Sequence, residues 1–137
     1  MFSLPRVNAD GTFNDLLYPA FLETMESQEG KVMCITGCTT GTGFHVAFAC
    51  ASKGATVVML NRASLRVADA ASRIMAETPK AKLVQVDCDL TSFASVRKAA
   101  AEVQKLFPGG IDVLCNNAGM VYVWSRHPKN HNSNAFY

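Results

Sequence analysis

Residues Lys31–Ala51, KVMCITGCTTGTGFHVAFACA, constrain this chain more than any other stretch. Val32, Met33, Cys34 and Ile35 form an apolar run of strand character, the pattern of a strand buried on both faces. A glycine-rich turn follows, Thr36-Gly37-Cys38-Thr39-Thr40-Gly41-Thr42-Gly43. Phe44, Ala47, Phe48 and Ala51 then recur at one-turn spacing and predict an apolar helix face. Strand, glycine turn and helix together make a phosphate cradle. Glycines admit left-handed angles and close approach of a ligand. The first N–H groups of the helix have no internal partner, and the helix dipole adds positive potential there. The spacing is G-x-x-x-G-x-G with no Gly-Lys-Ser/Thr after it, which excludes the nucleoside triphosphate loop. A glycine turn that merely packs a helix close to a strand is the plainer alternative for this motif alone.

A chain of 137 residues suffices for one domain with one core. With 49% hydrophobic and 18% charged residues it is globular in composition. A net charge of +2, without a basic run, gives no basis for a nucleic-acid partner. No apolar run reaches membrane-span length. Cys34, Cys38, Cys50, Cys88 and Cys115 are odd in number, lack any C-x-x-C and sit in apolar segments. Reduced thiols and a cytoplasmic location are the expectation. The N-terminus lacks the apolar core of a secretory signal.

Residues 1–29 read as an N-terminal extension: an irregular leader, then an apolar cluster of Leu16, Leu17, Ala20, Phe21 and Leu22. Pro19 suggests a short helix starting there, either a flap over the core or a partner-docking element. Residues 30–120 carry the repeating pattern. Lys53-Gly54 closes the first helix of that pattern, and Thr56–Leu60 is a second strand, ended by Asn61-Arg62. Leu65, Ala68, Ser72 and Met75 mark a second amphipathic helix, stopped at Thr78-Pro79. Leu83–Val86 is a third strand, followed by Asp87-Cys88-Asp89-Leu90, with Thr91 or Ser92 as the next helix cap. Phe93, Val96, Ala100, Val103 and Phe107 form that helix's stripe; Pro108-Gly109-Gly110 breaks it, and Ile111–Cys115 is a fourth strand. The order β-α-β-α-β-α-β predicts an α/β fold, a Rossmann-type doubly wound parallel sheet, incomplete at about four strands. Ligands of such sheets bind past the carboxyl ends of the strands. The unusual polar and glycine clusters, 36–43, 61–62, 87–90 and 116–119, all fall there.

With Thr36-Gly37-x-x-x-Gly41-x-Gly43 and Asn116-Asn117-Ala118-Gly119 both present, the chain resembles the short-chain dehydrogenase/reductase family over roughly residues 30–120. The run Asp89-Leu90-Thr91-Ser92-Phe93-Ala94-Ser95-Val96-Arg97 also resembles retinol dehydrogenase and protochlorophyllide reductase relatives. The resemblance implies that Gly37, Gly41 and Gly43 shape a pyrophosphate turn. Thr39 and Thr40 offer hydroxyl or backbone donors, and Thr42 stands where the family usually has isoleucine. It further implies that Asp89 hydrogen-bonds the adenine amino group, that Leu90 lines that pocket, and that Asn116, Ala118 and Gly119 pass beneath the ribose and steady the fourth strand. An acid at the end of the second strand would bind a ribose 2′-hydroxyl and repel a 2′-phosphate. Neutral Asn61 followed by Arg62, whose planar fork suits phosphate, favours NADP(H) over NAD(H).

The family's Tyr-x-x-x-Lys, in which the ammonium lowers the tyrosine pKa, is absent. Tyr122 has Arg126 at the lysine spacing but lies too soon after Gly119, and Tyr137 has no lysine after it. No catalytic residue is therefore assigned. Residues 121–137 form a polar, asparagine-rich tail broken by Pro128, outside the resemblance, as a truncated or mis-spliced reading near Met120 would give. His127 and His131 have metal-ligand spacing, but Pro128 disfavours a rigid helix, and no metal site is assigned. His45 reads as a surface or packing residue. An edge fourth strand and bare helix faces predict poor solubility or a covering partner, a homo-oligomer among the options. Three functions follow: an NADP(H)-dependent alcohol/carbonyl oxidoreductase acting on a small molecule, represented by its cofactor-binding half; a catalytically silent nucleotide-binding module; or a fragment that does not fold.

Overall fold

A computed structural model of the protein describes residues 17–119. The leader, the two tail histidines, Tyr122 and Tyr137 lie outside the described residues. The elements are α1 (Leu17–Thr24), β1 (Val32–Thr36), α2 (Gly41–Ser52), β2 (Thr56–Asn61), α3 (Leu65–Glu77), β3 (Lys82–Asp87), α4 (Phe93–Leu106) and β4 (Val113–Cys115). All strand pairs are parallel, in the order β3-β2-β1-β4. The chain steps outward from β1 to β3, then returns past β1 to lay down β4. Right-handed connections place α2 and α3 on one face and α4 on the other, and two separate core clusters confirm this. One joins Met33, Ile35, Val57 and Met59 to Phe44, Ala47, Ala70 and Ile74; the other joins Cys34, Val58 and Val86 to Ala99 and Val103. Ile35, Met59 and Ile74 are fully buried, each contributing about 1.5–3 kcal/mol by removal from water.

Local chemistry sets the boundaries. The N–H groups of Gly54 and Ala55 return to the carbonyls of Ala51 and Cys50, closing α2 at the expected Lys53-Gly54. Ser92, not Thr91, caps α4: its hydroxyl accepts the Ser95 N–H at 3.3 Å. α1 begins two residues before Pro19, because a first-turn proline forfeits no helical hydrogen bond.

Two helix faces differ from expectation. On α3 the buried residues are Val67, Ala70, Ala71 and Ile74, whereas Leu65 is 90% exposed and Ala68, Ser72 and Met75 face solvent. The helix carries two interleaved sets at one-turn spacing, and the small Ala70-Ala71 pair permits the closer approach to the sheet. On α4 the buried line is Ala99 and Val103, with Val96 and Phe107 partly covered; Phe93 and Ala100 are exposed. β4 is shorter than expected, pairing only Met33–Ile35 with Val113–Cys115. It is the edge strand foreseen, and Ile111, Val113 and Leu114 beside it remain exposed.

Candidate functional site

The carboxyl ends of β1, β2, β3 and β4 converge on the glycine turn. The turn is fixed from two sides. From β2, the Leu60 carbonyl accepts the Gly37 N–H at 3.2 Å, and Asn61 Oδ1 accepts the Cys38 N–H at 2.9 Å. From β4, Asn117 Nδ2 donates to the carbonyls of Thr36 (3.0 Å) and Gly37 (3.1 Å). The Ala118 N–H donates to Thr36 Oγ1 at 2.9 Å, and that hydroxyl donates to the Cys115 carbonyl at 3.3 Å.

Contacts this close leave no room for side chains. A Cβ on Gly37, which holds φ +70, would lie 2.9 Å from Ala118 Cα. A Cβ on Gly43 would overlap the Gly37 carbonyl oxygen and Asn117 Nδ2. Gly41, at φ +57, opens α2. The Thr40 carbonyl accepts the Phe44 N–H, so the N–H groups of Gly41, Thr42 and Gly43 precede the first helical bond. Thr40 is the N-cap residue, yet its hydroxyl makes no capping bond; it and Thr42 are exposed at the mouth. The cradle is therefore lined by main-chain donors and uncommitted hydroxyls, chemistry that fits a pyrophosphate.

Beside the cradle, Asp89 Oδ1 accepts both the backbone N–H (2.9 Å) and the hydroxyl (2.8 Å) of Thr91. Those bonds, with a smaller contribution from Arg62, hold its carboxyl below the usual aspartate range. The Asp89 N–H is fixed by Ser95 Oγ at 2.9 Å. Leu90 is half-exposed and Arg62 exposed on the same rim. Asp87 Oδ1 accepts the Ala63 N–H at 2.9 Å and anchors the loop that carries Arg62.

Asn61 is 9% exposed and its carboxamide oxygen is committed to the turn, where it braces the cradle. Its Nδ2 is buried without a hydrogen-bond partner. Among the Asn-Asn-Ala-Gly residues, Ala118 does pack against the turn, but the side chain that ties β4 to it is Asn117, which sequence reasoning passed over. Strand alternation carries that signal: Asn117 follows Cys115 onto the α2 face, and Asn116 follows Leu114 onto the α4 face. Asn116 lines the apolar groove there. Thr36, Asp87 and Ser95 were missed too: each acts through a main-chain partner, remote in sequence for Thr36 and Asp87 and six residues away for Ser95.

Cys38 sits within the turn, fully buried, its thiol donating to the Ile35 carbonyl. Burial pushes this thiol up to about 11 from an ordinary 9.0, against smaller lowering influences of Asn61 and Leu60. Burial likewise raises Cys34, Cys50 and Cys88, and all five cysteines are free thiols. The folded state keeps the Cys38 proton while the unfolded chain releases it. Stability is thus complete below pH 9 and falls as pH rises towards 11, by roughly 2–3 kcal/mol. Cys38→Ala should flatten the fall of melting temperature across that window; an unchanged alkaline limb would assign the loss to other groups.

The model of the short chain dehydrogenase family matches residues 31–136. The chain belongs to that family. The match runs past residue 120, where the sequence reading ended the resemblance, into the tail. Short chain dehydrogenase mpl6 of Monascus purpureus is 35% identical over 117 residues, covering 82% of this chain and 39% of the relative. The chain thus spans about two fifths of the length of such curated relatives. A short-chain type dehydrogenase/reductase from Mycobacterium marinum superposes with a TM-score of 0.65 at 32% identity, over 77% of this chain and 41% of that one. L-sorbose reductase from Gluconobacter frateurii, complexed with NADPH and L-sorbose, gives 0.58 at 31% identity, over 69% and 35%. The short chain dehydrogenases bind nicotinamide cofactors. No helix among the described residues is long and apolar enough to cross a membrane.

Proposed function

We propose that this chain supplies the cofactor-binding part of an NADP(H)-dependent short chain dehydrogenase that interconverts an alcohol and a carbonyl on a small molecule. The observation that carries the cofactor choice is the end of β2. The acid that would read a ribose 2′-hydroxyl is absent, Asn61 is turned into the protein, and the exposed Arg62 guanidinium is the group left on the rim. Gly37, Gly41 and Gly43 give the pyrophosphate its cradle, with donors from Thr39, Thr40 and Thr42. Asp89, through the carboxylate oxygen not held by Thr91, and Leu90 take the adenine. Asn116, Ala118 and Gly119 floor the ribose. The bound nicotinamide supplies the hydride. The proton belongs to a Tyr-x-x-x-Lys pair, which residues 1–137 do not contain. The NADPH in the sorbose reductase relative supports the same cofactor class.

Titration of the folded protein with NADPH and NADH tests the reading. One charge-assisted phosphate contact is worth about 1.5–3 kcal/mol, or roughly 10- to 150-fold in affinity, so NADPH should bind that much tighter. Arg62→Asp should invert the preference. Equal uptake of the two cofactors, or a variant that keeps the wild-type preference, overturns the assignment. A second reading, a nucleotide-binding module without turnover, draws on the same cradle. Turnover of an alcohol or carbonyl by a protein that binds NADPH would exclude it.

A further inference from the structure

α1 precedes residues 31–136, the span that the family model matches. It is fastened to α2, the helix that opens at the cradle. Tyr18 donates its hydroxyl proton to the His45 carbonyl at 2.8 Å. Its ring meets the His45 ring edge-on, with centroids 5.2 Å apart at 75°, and leans on Phe48 at 6.5 Å. After α1 the chain reaches the other end of α2. There the Gln28 N–H donates to the Lys53 carbonyl at 2.8 Å, and Glu29 lies beside Gly54. The segment is thus held at both ends of α2. Ala49, one turn after His45, is 5% exposed yet belongs to neither core cluster. Its cover comes from the side away from the sheet, where α1 lies.

We propose that Tyr18 is a positioning residue for the pyrophosphate cradle, acting through the backbone of α2. The route is a chain of hydrogen bonds. The His45 carbonyl and the Val46 N–H belong to one peptide unit. Within the α-helix that N–H donates to the Thr42 carbonyl, four residues back. The Thr42 carbonyl shares its unit with the Gly43 N–H, one of the donors that precede the first helical bond. A donor placed on the first carbonyl polarises each unit in turn, because hydrogen bonds in chains strengthen one another. Tyr18 therefore strengthens the Gly43 donor and resists fraying of the turn that carries it. Ser52 makes the same kind of bond further along, donating to the Ala49 carbonyl at 2.8 Å. Its chain runs through the Val46 and Gly43 carbonyls to the Phe44 N–H, which is already given to the Thr40 carbonyl. Of these two side-chain donors, Tyr18 is the one that feeds a group left for a ligand. This role rests on the cradle binding a pyrophosphate, whichever dinucleotide carries it.

Tyr18→Phe keeps the ring contacts, so α1 stays seated, and removes the donor. NADPH and inorganic pyrophosphate should each bind about 2- to 5-fold more weakly, the lower part of the range for one hydrogen bond, since the donor acts at one remove. Binding of 2′-AMP, which has no pyrophosphate, should be unchanged. The amide proton resonances of Val46 and Gly43 should move upfield without ligand, while those of β2 stay in place. Replacing Tyr18 by 4-aminophenylalanine, which restores a donor there, should recover both readouts. Ser52→Ala should leave affinity and the Gly43 resonance as they are. Three results overturn the role: NADPH affinity equal to that of the unaltered chain, an equal weakening of 2′-AMP, which signifies general loosening, or unmoved Val46 and Gly43 resonances. An unaltered chain that takes up no NADPH overturns the cofactor reading itself and the role with it.

Discussion

Gly43→Ala is expected to abolish dinucleotide uptake and to cost the fold about 3 kcal/mol, at the upper end for overpacking by one methyl group. The added carbon would overlap the Gly37 carbonyl oxygen and the Asn117 amide nitrogen. Neither can swing aside. The carbonyl is main chain, held at the end of β1, and the amide is committed to two acceptors at once. Relief requires α2 to move away from the turn, and its first-turn N–H groups then leave the cradle they line. Melting temperature and NADPH titration read the two consequences separately. Gly109→Ala, where an added carbon meets nothing within 4 Å, is the control and should change neither by much. If Gly43→Ala binds NADPH as the unaltered protein does, the turn is not the binding element.

Asn117 gives the second large effect, with an electrostatic signature. Asn117→Leu keeps the approximate shape but removes both donors, leaving the Thr36 and Gly37 carbonyls without them in a partly buried setting. The expected loss is about 2–3 kcal/mol. Asn117→Asp should be worse at neutral pH, since a carboxylate can only accept and would face two carbonyl oxygens. That environment favours the neutral acid, so the folded-state pKa of the introduced group rises above its unfolded value. The aspartate variant should therefore recover stability as pH falls through that raised pKa, whereas the leucine variant should not. Melting curves of both from neutral pH to about pH 4, the ordinary aspartate range, decide this. Parallel pH dependence would show that Asn117 acts through packing and not through its donors.

Much of the site was legible because the requirements are local. A run of apolar residues, three glycines at fixed spacing and an apolar face one turn apart specify strand, cradle and helix with no information from elsewhere. The clusters at 61–62, 87–90 and 116–119 were placed correctly at the strand tips, because alternating strands and helices force parallel pairing. The side-chain assignments within those clusters were less secure. Asn61 and Asn117 are polar residues at strand ends, and sequence alone does not say whether such a residue points to solvent, ligand or neighbouring backbone. The α3 stripe failed for a related reason: Leu65-Ala68-Ser72-Met75 and Val67-Ala70-Ala71-Ile74 are both one-turn patterns. Only the sheet underneath selects between them.

By itself the sequence determined the doubly wound architecture, the cradle at the first strand–helix turn, and the neutral-then-basic end of β2. Each follows from residues close together in the chain, where periodicity, glycine and charge act directly on the backbone. Tertiary structure alone decided that Asn61 braces the turn, that Asn117 locks β4 to it, and that one groove beside α4 stands open. Those outcomes depend on groups about 23 to 81 residues apart meeting within hydrogen-bond distance, and such a meeting exists only once the strands have taken their order.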